Sequence, residues 1–195
     1  MALAAIAPPR CAACDAPVDL RAVFCAACAA TLRPGDARAA FVYGGAVATA
    51  ITRFKYERRP DLARPLAHLL MRVTRAIDPP DLVVPVPLHP SRLAERGYNQ
   101  AALLARPVAA DFGARFAPTA LVRTRDTPHQ AHLDRAARAA NVDGAFGVRR
   151  DVRARDVLVI DDVVTTGATV RACMRALLDA GAARVRAVAV AYAEG

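Results

Sequence analysis

The stretch that decides the fold runs from Val157 to Thr169 and reads VLVIDDVVTTGAT. Its first four residues, Val157-Leu158-Val159-Ile160, form an unbroken β-branched and aliphatic run, the pattern of a strand covered on both faces. Asp161 and Asp162 follow at once. Val163-Val164-Thr165-Thr166-Gly167-Ala168-Thr169 then leads into a helical pattern that places Val170, Cys173, Leu177 and Leu178 on one face. Gly181 ends that helix and Val185–Tyr192 returns as a strand, so the segment predicts a βαβ unit. Such units build parallel sheets with helices on both faces, whose ligands bind beyond the carboxyl ends of the strands. The Thr-Gly loop offers hydroxyls and approachable N–H groups at a helix N-terminus, which favours a phosphate. Two carboxylates just before it cannot hold the same phosphate; they suit hydroxyls or a phosphate-bound magnesium ion. A sugar phosphate with free vicinal hydroxyls satisfies both halves. Helix capping accounts for one Thr or Asp, but not for paired acids followed by three threonines and a glycine in this order.

Upstream, Leu62, Leu66, Leu69, Leu70, Val73 and Ile77 recur at helical spacing after Pro60, and Asp78-Pro79-Pro80 stops that helix. Leu82–Leu88 reads as a buried strand whose prolines mark its handover to a functional loop. A second helix runs from Asn99 to about Phe112 and ends at Gly113. Thr119–Thr124 and Phe146–Val148 read as short strands, with a polar, Arg-rich excursion over 125–142 between them. Lys55, in Phe54-Lys55-Tyr56, is the sole lysine among 27 basic residues. A compact ammonium at that point suits a phosphate contact, and an exposed lysine without function is the alternative.

Cys11, Cys14, Cys25 and Cys28 form C-x2-C-x10-C-x2-C, and the fifth cysteine, Cys173, belongs to a helical core face. Two Cys-x2-Cys knuckles complete a tetrahedral set of four thiolates suited to structural Zn2+. Disulfides are the competing reading. The opening MALAAIAPPR lacks the basic region of a signal peptide, which favours thiols and a cytoplasmic chain. Arg33-Pro34-Gly35-Asp36 reads as a linker, giving a ribbon over 1–35 and a larger domain over 36–195. At 195 residues, 55% hydrophobic and 23% charged, the chain is long enough for that arrangement, and extensive disorder is excluded. No apolar run approaches the roughly 18–20 residues of a membrane helix. The net charge of +9 attracts polyanions, either nucleic acid or a heavily phosphorylated small substrate.

Residues 157–169 closely resemble the binding motif for 5-phosphoribosyl-1-pyrophosphate (PRPP) of type I phosphoribosyltransferases. Together with VPVPLHPSRLAERGYNQ over Val84–Gln100, RTRDTPHQ over Arg123–Gln130, Arg138 with Asn141, and the four N-terminal cysteines, the chain resembles the ComF/GntX family of phosphoribosyltransferase-like proteins over nearly its whole length. The resemblance implies an α/β fold with a parallel sheet flanked by helices and a small N-terminal four-cysteine zinc ribbon. It implies Asp161 and Asp162 as catalytic acids on the ribose hydroxyls, and a PRPP site over Asp161, Asp162, Val163, Val164, Thr165, Thr166, Gly167, Ala168 and Thr169. Arg92, Arg96 and the Gly97 turn fall where pyrophosphate would lie. Lys55 is a phosphate contact, and Arg123, Arg125 and Gln130 belong to a mobile covering loop. His132 departs from the family's usual glycine, which puts that loop in doubt.

The reaction so implied is Mg2+-dependent transfer of ribose-5-phosphate to an unidentified nitrogen base, with release of pyrophosphate. The alternative is a non-catalytic accessory protein of DNA uptake that binds PRPP or single-stranded DNA and a protein partner. A DNA-binding role for the ribbon itself is the weakest reading, because its arginines are few, Arg10 and Arg21 beside its cysteines and Arg33 at its end.

Overall fold

The computed structural model describes residues 9–125 and 144–194. The elements in chain order are α1 (Ala26–Ala29), β1 (Pro34–Asp36), β2 (Ala39–Val42), α2 (Gly45–Tyr56), a 3-10 turn at Pro60–Leu62, α3 (Ala63–Thr74) and β3 (Leu82–Pro85). They continue as α4 (Pro90–Arg96), α5 (Gln100–Phe112), β4 (Arg115–Phe116), β5 (Leu121–Arg123), β6 (Phe146–Val148), β7 (Asp156–Val164), α6 (Ala168–Asp179) and β8 (Arg184–Tyr192). A six-stranded sheet has the order β1-β2-β8-β7-β3-β4, parallel throughout except for the antiparallel edge strand β1. β5 and β6 form a separate antiparallel hairpin.

The central strands read as continuous apolar runs because both faces are covered. Val157, Leu158, Val159 and Ile160 are all fully buried. Leu158 and Ile160 pack with α2, α3 and α5 residues such as Ile51, Leu66 and Leu104, while Val157 and Val159 pack with Cys173 and Leu177 of α6 and with the hairpin. α5 follows its sequence signals closely: the Asn99 side chain caps it by accepting from the Ala102 N–H, and Gly113 ends it in the left-handed region.

Four expectations change. Arg33–Asp36 is no open linker, since Pro34–Asp36 form β1 against β2. β7 extends to Val164, so Asp161 and Asp162 stand within the strand, because β8 pairs with it as far as Tyr192. Leu178 is exposed; Ala168, Val170, Cys173 and Leu177 hold the buried stripe of α6. The segment after β3 is only partly loop, because Pro90 at the first helical position and His89 as N-cap start α4. The cysteine unit joins the core on the α2 side, where Cys11, Ala12 and Phe24 are buried among Ile51 and Phe54.

Candidate functional site

Side chains alternate along a strand, so consecutive acids must face opposite sides. Asp162 follows Leu158 and Ile160 to the α2 side and is buried, with its Oδ1 2.7 Å from Lys55 Nζ. Asp161 follows Val157 and Val159 to the α6 side, where it feels the charge of Arg123, and its Oδ1 accepts from the Asp162 N–H at 2.9 Å. Burial first, and then the Asp162 charge, push Asp161 up to about 7, with Lys55 and Arg123 pulling the other way. Burial on its own would lower the Lys55 ammonium, yet Asp162 and more distantly Asp161 outweigh it and raise its pKa. Lys55 is therefore neither exposed nor idle.

The loop beyond β7 forms as its sequence suggests. Gly167, at φ 74°, N-caps α6 with no acidic residue in the helix's first turn. Glycine is needed there for the left-handed conformation, and an added Cβ, 2.7 Å from Arg171 Nη1, would displace that flexible side chain. The same guanidinium donates to the Thr166 carbonyl at 2.9 Å. Arg171 thus shapes the loop, a role no sequence signal marks in so Arg-rich a chain. The Ala168 N–H reaches Thr166 Oγ1 only at 3.4 Å, and the helix N-terminus with these hydroxyls makes an anion cradle. A cleft of about 830 Å3 is lined by Val164, Thr165, Thr166, Gly167, Arg171 and Tyr192 among others; neither aspartate lines it.

Arg92 and Arg96 stand one turn apart on α4, both half-buried, and Gly97 ends the helix at φ 79°. Arg96 lies 5.2 Å from the Tyr56 ring centroid, donates to Gln100 Oε1 at 3.2 Å, and acts on Lys55 electrostatically. The Asn99 amide donates to the Val86 carbonyl at 3.1 Å, tying the start of α5 to the chain just past β3. Lys55, Arg96, Asp161 and Asp162 therefore gather at the carboxyl ends of β3 and β7. Arg123 lies in β5, within the strand expected over Thr119–Thr124 and not in the covering loop that the resemblance implies, and it is buried 5.7 Å from the Phe146 ring centroid. Its place in the β5–β6 pairing overrides the loop reading. Arg125 follows just outside the strand and is exposed. Gln130, His132, Arg138 and Asn141 lie outside the described residues.

The four thiols of Cys11, Cys14, Cys25 and Cys28 converge with all Sγ atoms within 4.8 Å of one another, and Cys14 and Cys25 are 3.7 Å apart. A tetrahedral four-sulfur site with bonds of about 2.3 Å needs sulfurs roughly 3.8 Å apart, so the set fits a metal such as zinc. Burial alone would raise Cys11, but N–H groups of Cys25, Cys14 and Ala13 bring it down to about 6. Cys25 and then burial push Cys28 up to about 12. Thiols this crowded cannot all ionise together until a cation joins them. The arrangement offers one metal ion four sulfur ligands.

The profile of the Phosphoribosyl transferase domain matches residues 99–194. The DNA utilization protein YhgH of Escherichia coli K12 is 35% identical over 150 residues, which cover 74% of this chain and 66% of that protein. Competence protein F of Haemophilus influenzae is 30% identical over 152 residues, 73% of this chain and 66% of its own. This chain belongs to the ComF family. As a ComF-family protein it carries the type I phosphoribosyltransferase-like fold, with the four-cysteine cluster beside it. The match spans just under two thirds of these curated relatives. Among solved structures, purine phosphoribosyltransferase from Pyrococcus horikoshii aligns over 71% of this chain and 82% of its own at 12% identity with a TM-score of 0.42, too loose for residue correspondences. No helix among the described residues is long and apolar enough to cross a membrane.

Proposed function

We propose that this ComF-family protein binds PRPP with Mg2+ at the carboxyl ends of β3 and β7 and transfers its ribose-5-phosphate to a nitrogen base. The observation that carries the reading is the direct succession of Asp161 and Asp162, on β7, to the Thr165–Gly167 cradle that opens α6. The cradle takes the 5-phosphate through N–H groups and threonine hydroxyls. Asp161 and Asp162 take the ribose hydroxyls. Arg92 and Arg96 take the pyrophosphate, on which negative charge builds as the bond from C1 to oxygen breaks and its electron pair leaves with that oxygen. A bond from the base nitrogen to C1 replaces it, and the nitrogen's proton passes to solvent. Mg2+ bound with PRPP would add charge neutralisation on the leaving group. The Lys55 ammonium, 2.7 Å from Asp162 Oδ1, fixes that side chain in its buried place beside the ribose.

The names of the relatives support a second, cellular part of the proposal: the chain serves in the use or uptake of DNA, and the four-cysteine unit over 1–35 holds Zn2+ as a structural module. Calorimetric titration of the zinc-loaded protein with PRPP and Mg2+, beside the double variant Asp161→Asn/Asp162→Asn, tests the site. The expected result is saturable binding that the double variant loses. A folded wild-type protein that takes up no PRPP overturns the proposal and leaves the DNA-linked role without a nucleotide site.

A further inference from the structure

Arg53 is a buried cation on the α2 side of the protein and plays no part in the site just described. Its Nη1 donates to the carbonyls of Ala12 and Ala13 at 3.2 Å each, its Nη2 to Asp15, and its Nε to Glu57 at 3.0 Å. Ala12 and Ala13 lie between Cys11 and Cys14, and Asp15 directly follows Cys14, so one guanidinium grips the whole first cysteine knuckle. Arg59 reaches the same Asp15 carboxylate at 3.2 Å, and this pairing holds Asp15 below the usual carboxylate range, Arg53 before Arg59. Arg53 sits in the last turn of α2, two residues before Lys55. Phe54 packs beside Cys11 and Ala12, and its carbonyl accepts from the Tyr98 hydroxyl. The grip on the knuckle and the Lys55–Asp162 pair therefore share one turn of helix, which ends where Arg58 turns to φ 52°.

We infer that Arg53 is a positioning residue which, through Asp15, couples the metal-holding cysteine knuckle to the Lys55–Asp162 pair, so that metal and PRPP strengthen each other's binding. The inference rests on the PRPP reading above for its ligand. The physical warrant is local. Without the metal, crowded thiols separate, the carbonyls of Ala12 and Ala13 and the Asp15 carboxylate lose their fixed places, and Arg53 is left as a buried cation without its partners. The cheapest relief is fraying of the last turn of α2, which carries Lys55 away from Asp162. Coupling of this kind is reciprocal by thermodynamic linkage.

The experiment uses the full zinc-loaded chain. Zinc release to a colorimetric chelator is timed with and without PRPP and Mg2+, in wild type and Asp15→Asn, and hydrogen exchange is followed at amides 54–57 before and after chelation. PRPP should slow zinc release of wild type about 5- to 10-fold, and the effect should shrink to under about 2-fold in Asp15→Asn while each site still fills separately. If Asp15→Asn does not fold, Arg53→Lys, which keeps the charge but cannot span all four partners, takes its place. Zinc release indifferent to PRPP in a wild type that binds PRPP overturns the coupling. If wild type binds no PRPP, the functional reading fails by itself, and exchange decides the coupling: faster exchange at 54–57 after chelation upholds it, and unchanged exchange in a still-folded chain sinks it.

Discussion

The ammonium of Lys55 lies 2.7 Å from the carboxylate of Asp162, joining the last turn of α2 to the carboxyl end of β7. Side-chain exposures of 20% and 9% make it a largely buried pair, with Asp161 on the opposite face as its electrostatic counterweight. Adjacent acids are thereby made unequal. Asp162 has a cation of its own, while burial and the charge of Asp162 hold the Asp161 carboxyl well above its ordinary range.

Removing the cation leaves Asp162 buried and unpaired. Lys55→Met should therefore destabilise the protein by about 3 kcal/mol in urea denaturation, whereas Asp162→Asn should cost less, because a lysine can turn its long stem toward solvent. The double variant should recover part of the loss. Additive costs in that cycle would mean the pair is not energetically coupled.

Asp161, raised to about 7 from its ordinary value of 3.8, binds a proton more tightly folded than unfolded. Its contribution to stability is thus full below about pH 4 and is lost as pH rises through about 7. Asp161→Asn mimics the neutral form and keeps an acceptor for the Asp162 N–H, so the variant should flatten the stability profile between pH 4 and 7 and be the more stable protein at pH 8. Affinity for Mg2+ and PRPP should run the opposite way in wild type, rising from pH 6 to 8 as Asp161 ionises. Titrations at three pH values, with melting curves alongside, check both slopes.

Much of this was legible in the sequence because local and global signals agree. Asn99 and Gly113 bracket α5, the apolar run at Val157 marks the central strand, and Gly167 marks the loop. The four cysteines could be placed together from spacing alone. What escaped depended on partners distant in sequence. β7 runs on through its acids only because β8 is long enough to pair with it, and Arg123 is buried because β6 returns beside β5. Arg53 looks like any other arginine until the knuckle is folded over it. The Lys55–Asp162 pair spans more than a hundred residues, and the rarity of lysine was its one trace in the chain.

The α4 arginines should separate the two ends of the ligand. Arg92→Ala and Arg96→Ala each remove a cation from the leaving-group side while leaving the Thr165–Gly167 cradle intact. Each should weaken binding of PRPP and of inorganic pyrophosphate about tenfold, the scale of one charge-assisted hydrogen bond, and leave ribose-5-phosphate affinity unchanged. Arg96→Ala should also free Tyr56, whose ring it faces. Equal losses for all three ligands would move the pyrophosphate away from α4.

Gly167→Ala tests the cradle. Its φ of 74° lies in the left-handed region, where a Cβ costs about 1–2 kcal/mol, and here that Cβ would also meet Arg171 Nη1 at 2.7 Å. Arg171 is a flexible chain and can swing away, so the protein should fold with a loss of about 1–2 kcal/mol. In moving, however, it releases the Thr166 carbonyl it now holds, and the loop loses its shape. Ribose-5-phosphate binding should fall at least tenfold, while pyrophosphate binding, assigned to the other end of the site, should persist. The companion variant Arg171→Met removes the guanidinium without adding a Cβ at Gly167, and it should show the phosphate defect with little loss of stability. Phosphate binding intact in Arg171→Met would mean that Gly167 alone sets the loop, and that Arg171 merely lies against it.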